Sequence, residues 1–132
     1  MAQNNIDISG MTRLAEELTR LCRDKGIKTT LHSGTGKVPP SASIAVETLA
    51  GPKEEKRRNI EKLDSVLRPS AIILTSCLGF SATAIASWTK KPGRVVGFAT
   101  FYPLEERRVV ELAAGLVTEE SAMKKAAGLF QT

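Results

Sequence analysis

The stretch AIILTSC, residues 71–77, constrains this chain more than any other. It is a short, continuous apolar run. A strand covered on one face alternates apolar with polar residues; a run like this one fits a central parallel strand buried on both faces. Parallel strands need crossover connections, so helices must lie above and below the sheet.

The rest of the chain supplies helical patterns in the right places. Thr12 stands as a cap before a helix to about Lys25, with Leu14, Leu18, Leu21 and Cys22 on one face and Gly26 as the stop. IKTTLHS (27–33) reads as a strand by its β-branched content, SGTGKVPPS (33–41) as a loop, and SIAVETLA (43–50) as a second strand. Gly51–Pro52 opens a helix carrying Lys56, Ile60, Leu63 and Leu67 on one stripe, which stops at Arg68–Pro69. Beyond AIILTSC, Ser81 caps a short helix through Trp88. RVVGFATF (94–101) and VVEL (109–112) are strands, and Thr118 begins a last helix that buries Ala122, Ala126, Leu129 and Phe130. NNIDISG is a weak strand candidate, because Asn and Asp disfavour strands. The expected fold is a Rossmann-like α/β three-layer sandwich around a mostly parallel, shortened sheet, as one domain over residues 1–132.

Composition narrows the function classes. The 132 residues are 42% apolar and 25% charged, which fits an ordinary globular domain. Runs such as AIIL and ELAAGLV are too short to span a bilayer, and MAQNNIDIS lacks a secretory pattern, so a cytoplasmic location is expected. Cys22 and Cys77 fit no metal or redox spacing and read as small reduced hydrophobes, while His32 stands alone, which leaves no expected metal site. The net charge of +5 suits either a solvated basic surface or a polyanion partner. Acids are mixed into two of the three basic clusters and aromatics are not interleaved with them, so nucleic acid is not the expected partner. SGTGK at 33–37 is not a phosphate loop: Leu31 takes the first glycine position and Val38 follows the lysine.

The order and wording of the segments resemble the NAD-binding domain of the 3-hydroxyacyl-CoA dehydrogenases. AVETLAGPKEEK is similar to that family's V-x-E-A strand and following lysine, with Glu47 and Lys56 at the matching places. TSCLGF falls where the family has S-N-T-S-S-L, RVVGFATFYP where it has R-x-x-G-x-H-F-F-N-P, RVVEL where it has K-L-V-E-V, and GLVTEES where it has G-x-x-T-x-E. The match is best over residues 43–130 and looser over 10–33. The resemblance implies the fold already expected, without the family's helical second domain.

It also implies a site whose chemistry is missing. The family's general base is the histidine of H-F-F-N-P, oriented by a carboxylate; the matching positions are Ala99 and Glu111. The family's serine falls at Leu78 and its motif asparagine at Tyr102. An alanine methyl accepts no proton, so Glu111 is left as a vestigial orienter that is equally able to pair with Arg107 or Arg108. On the cofactor side only Gly10 stands before the first helix, in a loop that looks too short for a G-x-G-x-x-G cradle, and Ser33 replaces the ribose-binding acid. Glu47 reads equally as a leftover cofactor-side carboxylate or a strand-end polar group. Lys56 reads as a contact to a CoA phosphate or, slightly better, as one charge on a solvated helix face beside Lys53, Arg57 and Arg58.

The leading expectation is therefore a non-catalytic domain derived from this family, which binds an acyl-CoA-like ligand or a protein partner. No cofactor is firmly expected, and CoA or NAD would bind weakly. The alternative is an oxidoreductase of the 3-hydroxyacyl-CoA dehydrogenase type in fatty-acid metabolism, with altered NAD binding or completed by another subunit. Phe98, Phe101, Tyr102, Leu104 and Leu129–Phe130 suggest an apolar patch that a homodimer or a partner would cover.

Overall fold

The computed structural model describes residues 5–33, 38–39, 41–77, 79–100 and 110–130. Its strands are β1 (Asn5–Ser9), β2 (Lys28–His32), β3 (Ile44–Glu47), β4 (Ile72–Ser76), β5 (Val95–Thr100) and β6 (Val110–Ala114). Its helices are α1 (Arg13–Asp24), α2 (Lys53–Val66), α3 (Ala82–Ala86) and α4 (Glu120–Phe130), with a 3₁₀ turn at Pro92–Arg94. The six strands form one sheet in the order β2-β1-β3-β4-β5-β6. All neighbours are parallel except β5 and β6, which run antiparallel. β4, the strand expected at the centre, is buried along its whole length.

The side-chain period of two splits the sheet into two apolar faces. Ile6, Ile8, Ile44, Val46, Ile72, Leu74, Val96 and Phe98 pack under α1 and α4. Ala45, Ile73 and Val95 pack under α2 and α3, through Ile60, Leu63 and Ile85. Val38 and Ala42 belong to this second core, so the connection from β2 to β3 crosses β1 on the α2 face. The crossing lets the chain step outward from β1 to β2 and return to the far side of β1. The reversal makes the gap between β1 and β3 a topological switch point, the place where open α/β sheets receive ligands.

NNIDISG, the weakest strand candidate, forms β1, which lies between β2 and β3. Asp7 is tolerated there because β2 satisfies its carboxylate: Thr30 Oγ1 donates to Oδ1 at 2.7 Å and His32 Nε2 lies 2.8 Å from Oδ2. Other elements sit within a few residues of their expected bounds. Thr12 caps α1 by accepting the Ala15 amide, and Ser81 caps α3 by accepting that of Ala84. Pro52 falls at the cap of α2, one place ahead of the first helical residue. Thr118 does not cap α4; its hydroxyl donates to the Val95 carbonyl and accepts the Gly115 amide, tying the turn after β6 to the start of β5.

Two expectations fail on burial. Lys56 is not a charge on a solvated face, since it is completely buried. Phe98 is not part of a surface patch: it is fully buried, 6.4 Å from the Phe130 ring, and Leu129 is buried too. Phe101, Tyr102 and Leu104 lie outside the described residues, as does Leu78. No helix among the described residues is long and apolar enough to cross a membrane.

Candidate functional site

The carboxyl ends of the parallel strands carry the polar side chains of the α2 face. Alternation along β1, β3 and β4 points Ser9, Glu47 and Thr75 toward α2, where the apolar layer gives way to hydrogen-bonded groups. Glu47 and Lys56 form a buried ion pair at 2.6 Å, with both side chains fully sequestered. Glu47 Oε1 also accepts the Thr75 hydroxyl at 2.7 Å, and Oε2 accepts the Leu49 amide at 2.9 Å. The Lys56 ammonium donates in addition to the Leu49 carbonyl. A carboxylate and an ammonium removed from water need such partners, because desolvation otherwise costs several kcal/mol per ion, roughly. The pair thus fastens the first turn of α2 to the rim of the sheet. It leaves Lys56 no exposure from which to meet a CoA phosphate, so that reading of the lysine is overturned. Beside it, Asn59 Nδ2 donates to Ser9 Oγ at 2.9 Å.

The switch point lies next to this network. Gly10 follows β1 with φ +101°, a conformation that glycine adopts without strain. The first helical turn then places Thr12 as cap and Ala15, fully buried, against the sheet. Gly10, Thr12 and Ala15 therefore have the spacing of G-x-G-x-x-G/A, in which the glycines serve in turn the tight bend, the approach of backbone to pyrophosphate, and close helix–strand packing. The loop is not too short, contrary to the sequence expectation. The first and third roles are filled by Gly10 and Ala15, and the second position carries a threonine. The spacing was visible in the sequence, but the threonine hid it.

That threonine does not fit a dinucleotide. Thr12 Oγ1 accepts the Ala15 amide at 3.0 Å, one of the helix-terminal donors that a phosphate would otherwise use. At the tip of β2, exposed Ser33 offers no carboxylate to ribose, and the nearby acid Asp7 is buried beneath Thr30 and His32. The fold is that of a dinucleotide-binding domain, and the residues at positions 12 and 33 do not fit the pyrophosphate and ribose contacts of that fold.

At the other end of the rim, the β5–β6 register pairs Ala99 directly with Glu111. The positions that the resemblance assigns to base and orienter thus face each other on neighbouring strands, with Glu111 exposed to solvent. Neither Ala99 nor any other residue in the described part of this strand pair is a proton acceptor beside Glu111. Cys77, just past β4, packs against Gly97 and donates to the Thr75 carbonyl at 3.6 Å. Burial pushes its thiol pKa up, opposed by the charge of Lys56, so it is a poor nucleophile.

A mostly parallel sheet with helices on both faces and a glycine turn at its switch point define a Rossmann-like domain. The family described as "3-hydroxyacyl-CoA dehydrogenase, NAD binding domain" matches residues 10–132, and the chain belongs to that family. A 3-hydroxybutyryl-CoA dehydrogenase of Bradyrhizobium diazoefficiens is 30% identical over 81 residues, which cover 61% of this chain and 28% of that protein. A probable 3-hydroxybutyryl-CoA dehydrogenase of Bacillus subtilis is 27% identical over 121 residues, 85% of this chain and 42% of that protein. The solved 3-hydroxybutyryl-CoA dehydrogenase of Escherichia coli K12 has a TM-score of 0.88 at 18% identity, over 99% of this chain and 36% of its own. The chain spans less than half the length of these curated relatives.

Proposed function

We propose that this chain is a non-catalytic member of the 3-hydroxyacyl-CoA dehydrogenase family that acts by binding. The observation that carries the reading is Ala99 opposite Glu111: the strand pair has the register for a base and its orienter, and the base position holds a methyl group. General-base transfer contributes roughly 10² to 10⁴ in rate, and nothing beside Glu111 in the described strand pair supplies it.

The partner favoured by the surface is protein. Among the described residues strand β6 has a neighbour on one side only, and the turn after it exposes Leu116 at 89% and Val117 at 58%. An open strand edge next to exposed apolar side chains is a feature that natural proteins cover or pair. A second copy of the chain is the simplest cover, since a two-fold contact uses the same edge twice. An acyl-CoA-like ligand remains part of the reading only at sites other than Lys56. Light scattering tests the assembly: a dimer at micromolar concentration, reduced to monomer by Leu116→Asp with Val117→Asp, supports it, and a clean wild-type monomer overturns it. Thermal shift with CoA and acetoacetyl-CoA tests the ligand, because saturation at 100 times the dissociation constant adds about 2.7 kcal/mol.

A second reading, an oxidoreductase of fatty-acid metabolism completed by another subunit, draws on the same register. It requires that subunit to deliver a base opposite Glu111.

A further inference from the structure

We propose that Thr12 and Thr48 form a latch that closes the β1–β3 crevice of this chain to the pyrophosphate of a dinucleotide. The inference rests on the non-catalytic reading and adds the residues that make the domain unable to use its inherited cofactor site.

Both residues depart from the family's wording at places that face each other. Position 12 is the second glycine of the G-x-G-x-x-G/A spacing, and position 48 is the alanine that ends V-x-E-A. Across the switch point Thr12 Oγ1 donates to Thr48 Oγ1 at 2.8 Å, and Thr48 Oγ1 donates to the Ser9 carbonyl at 2.8 Å. Each hydroxyl has one proton, and each proton is used. Thr12 also accepts the Ala15 amide, so one hydroxyl chain runs from the first turn of α1 through β3 to the end of β1. Thr48 packs against Gly10 so closely that a Cβ there would lie 2.4 Å from its Oγ1. The glycine turn, which elsewhere leaves room for a phosphate, here makes room for Thr48. A phosphate entering this crevice would have to break the hydroxyl chain, displace the Thr12 side chain and take back the Ala15 amide.

The test compares latched and unlatched chains in a Ser33→Asp background, which supplies the missing ribose-binding carboxylate. Calorimetry with NAD is run on that background alone, with Thr12→Gly and Thr48→Ala added together, and with Thr12→Ala and Thr48→Ser added together. Glycine is itself an accepted N-cap residue, and circular dichroism with a melting curve establishes that each variant folds. The latch predicts at least tenfold tighter NAD binding in the Gly/Ala variant than in the background, and a smaller gain in the Ala/Ser variant, which breaks the hydroxyl chain and frees the Ala15 amide but keeps a Cβ at position 12. A folded Gly/Ala variant that binds no better than the background overturns the latch and leaves the non-catalytic reading standing. Micromolar NAD binding by the unaltered chain also overturns it. NADH formation by the unaltered chain would overturn the latch and the non-catalytic reading together, whereas a folded Gly/Ala variant without gain overturns the latch alone, so the two failures are told apart.

Discussion

The two ends of the sheet's carboxyl rim have been treated differently. Around β1, β3 and β4, Ser9, Glu47, Thr48 and Thr75 are all hydrogen-bonded within the protein, and the Glu47–Lys56 pair is sealed from water. At β5 and β6, the facing positions 99 and 111 hold a methyl group and an exposed carboxylate. Both regions lie in the stretch that matches the same family, yet one is sewn into the architecture and the other presents a methyl group opposite an exposed carboxylate. A family motif mixes residues that hold the fold with residues that do chemistry, and this chain separates them. Glu47 and Lys56 belong to the first kind, because a buried pair is costly to break whatever the protein does. Ala99, by contrast, pairs with Glu111 across β5 and β6 with only a methyl group.

The contrast can be broken by mutation. Lys56→Ala leaves Glu47 buried and unpaired, and chemical denaturation should show a loss of about 3–5 kcal/mol. Glu111→Gln, at the exposed β5–β6 end, should stay within about 0.5 kcal/mol of wild type. Equal losses at the two sites would erase the distinction. Asp7→Ala strips the acceptor from Thr30 and His32 and should cost about 1–3 kcal/mol in the same experiment, extending the structural network to the β2 edge. Gly10→Ala should destabilise by more than about 1 kcal/mol, because φ is +101° there and Thr48 blocks the new methyl. Gly26→Ala, at φ +75° in open space, should cost less.

The smallest effect concerns Cys77. Its pKa is raised in the folded chain, chiefly by burial, so the native state favours the protonated thiol. Its contribution is full below the thiol's ordinary value of 9.0 and is lost as pH rises through the higher folded value. Stability should therefore decline slightly more steeply above pH 9 in wild type than in Cys77→Ser, and thiol labelling at neutral pH should be slow.

Much of this was legible in the sequence. AIILTSC announced a doubly covered strand, and Thr12, Gly26 and Ser81 marked helix ends that the structure retains. The resemblance sets Ala99 and Glu111 at the base and orienter positions, and the β5–β6 register places these two residues opposite each other. What resisted reading was burial of charge. Lys56 shares a stripe with Ile60, Leu63 and Leu67, yet its charge argued for solvent, because the partner that admits it to the interior is a carboxylate nine residues earlier on another element. Asp7 argued against a strand until Thr30 and His32 on the neighbouring strand supplied its partners. Propensity sees neither, because both are decided by tertiary pairing. Thr12 and Thr48, 36 residues apart, could not be linked before β1 and β3 were known to be neighbours.

The central claim is that the frame of a dehydrogenase site survives here without its proton transfer. Its most direct test is absorbance at the NADH band during incubation of the purified chain with NAD and 3-hydroxybutyryl-CoA, at enzyme-scale concentration so that a single turnover is visible. The account predicts no NADH from wild type and none from Glu111→Gln. NADH formed by wild type and abolished by Glu111→Gln would contradict it, because the carboxylate would then be serving a working base.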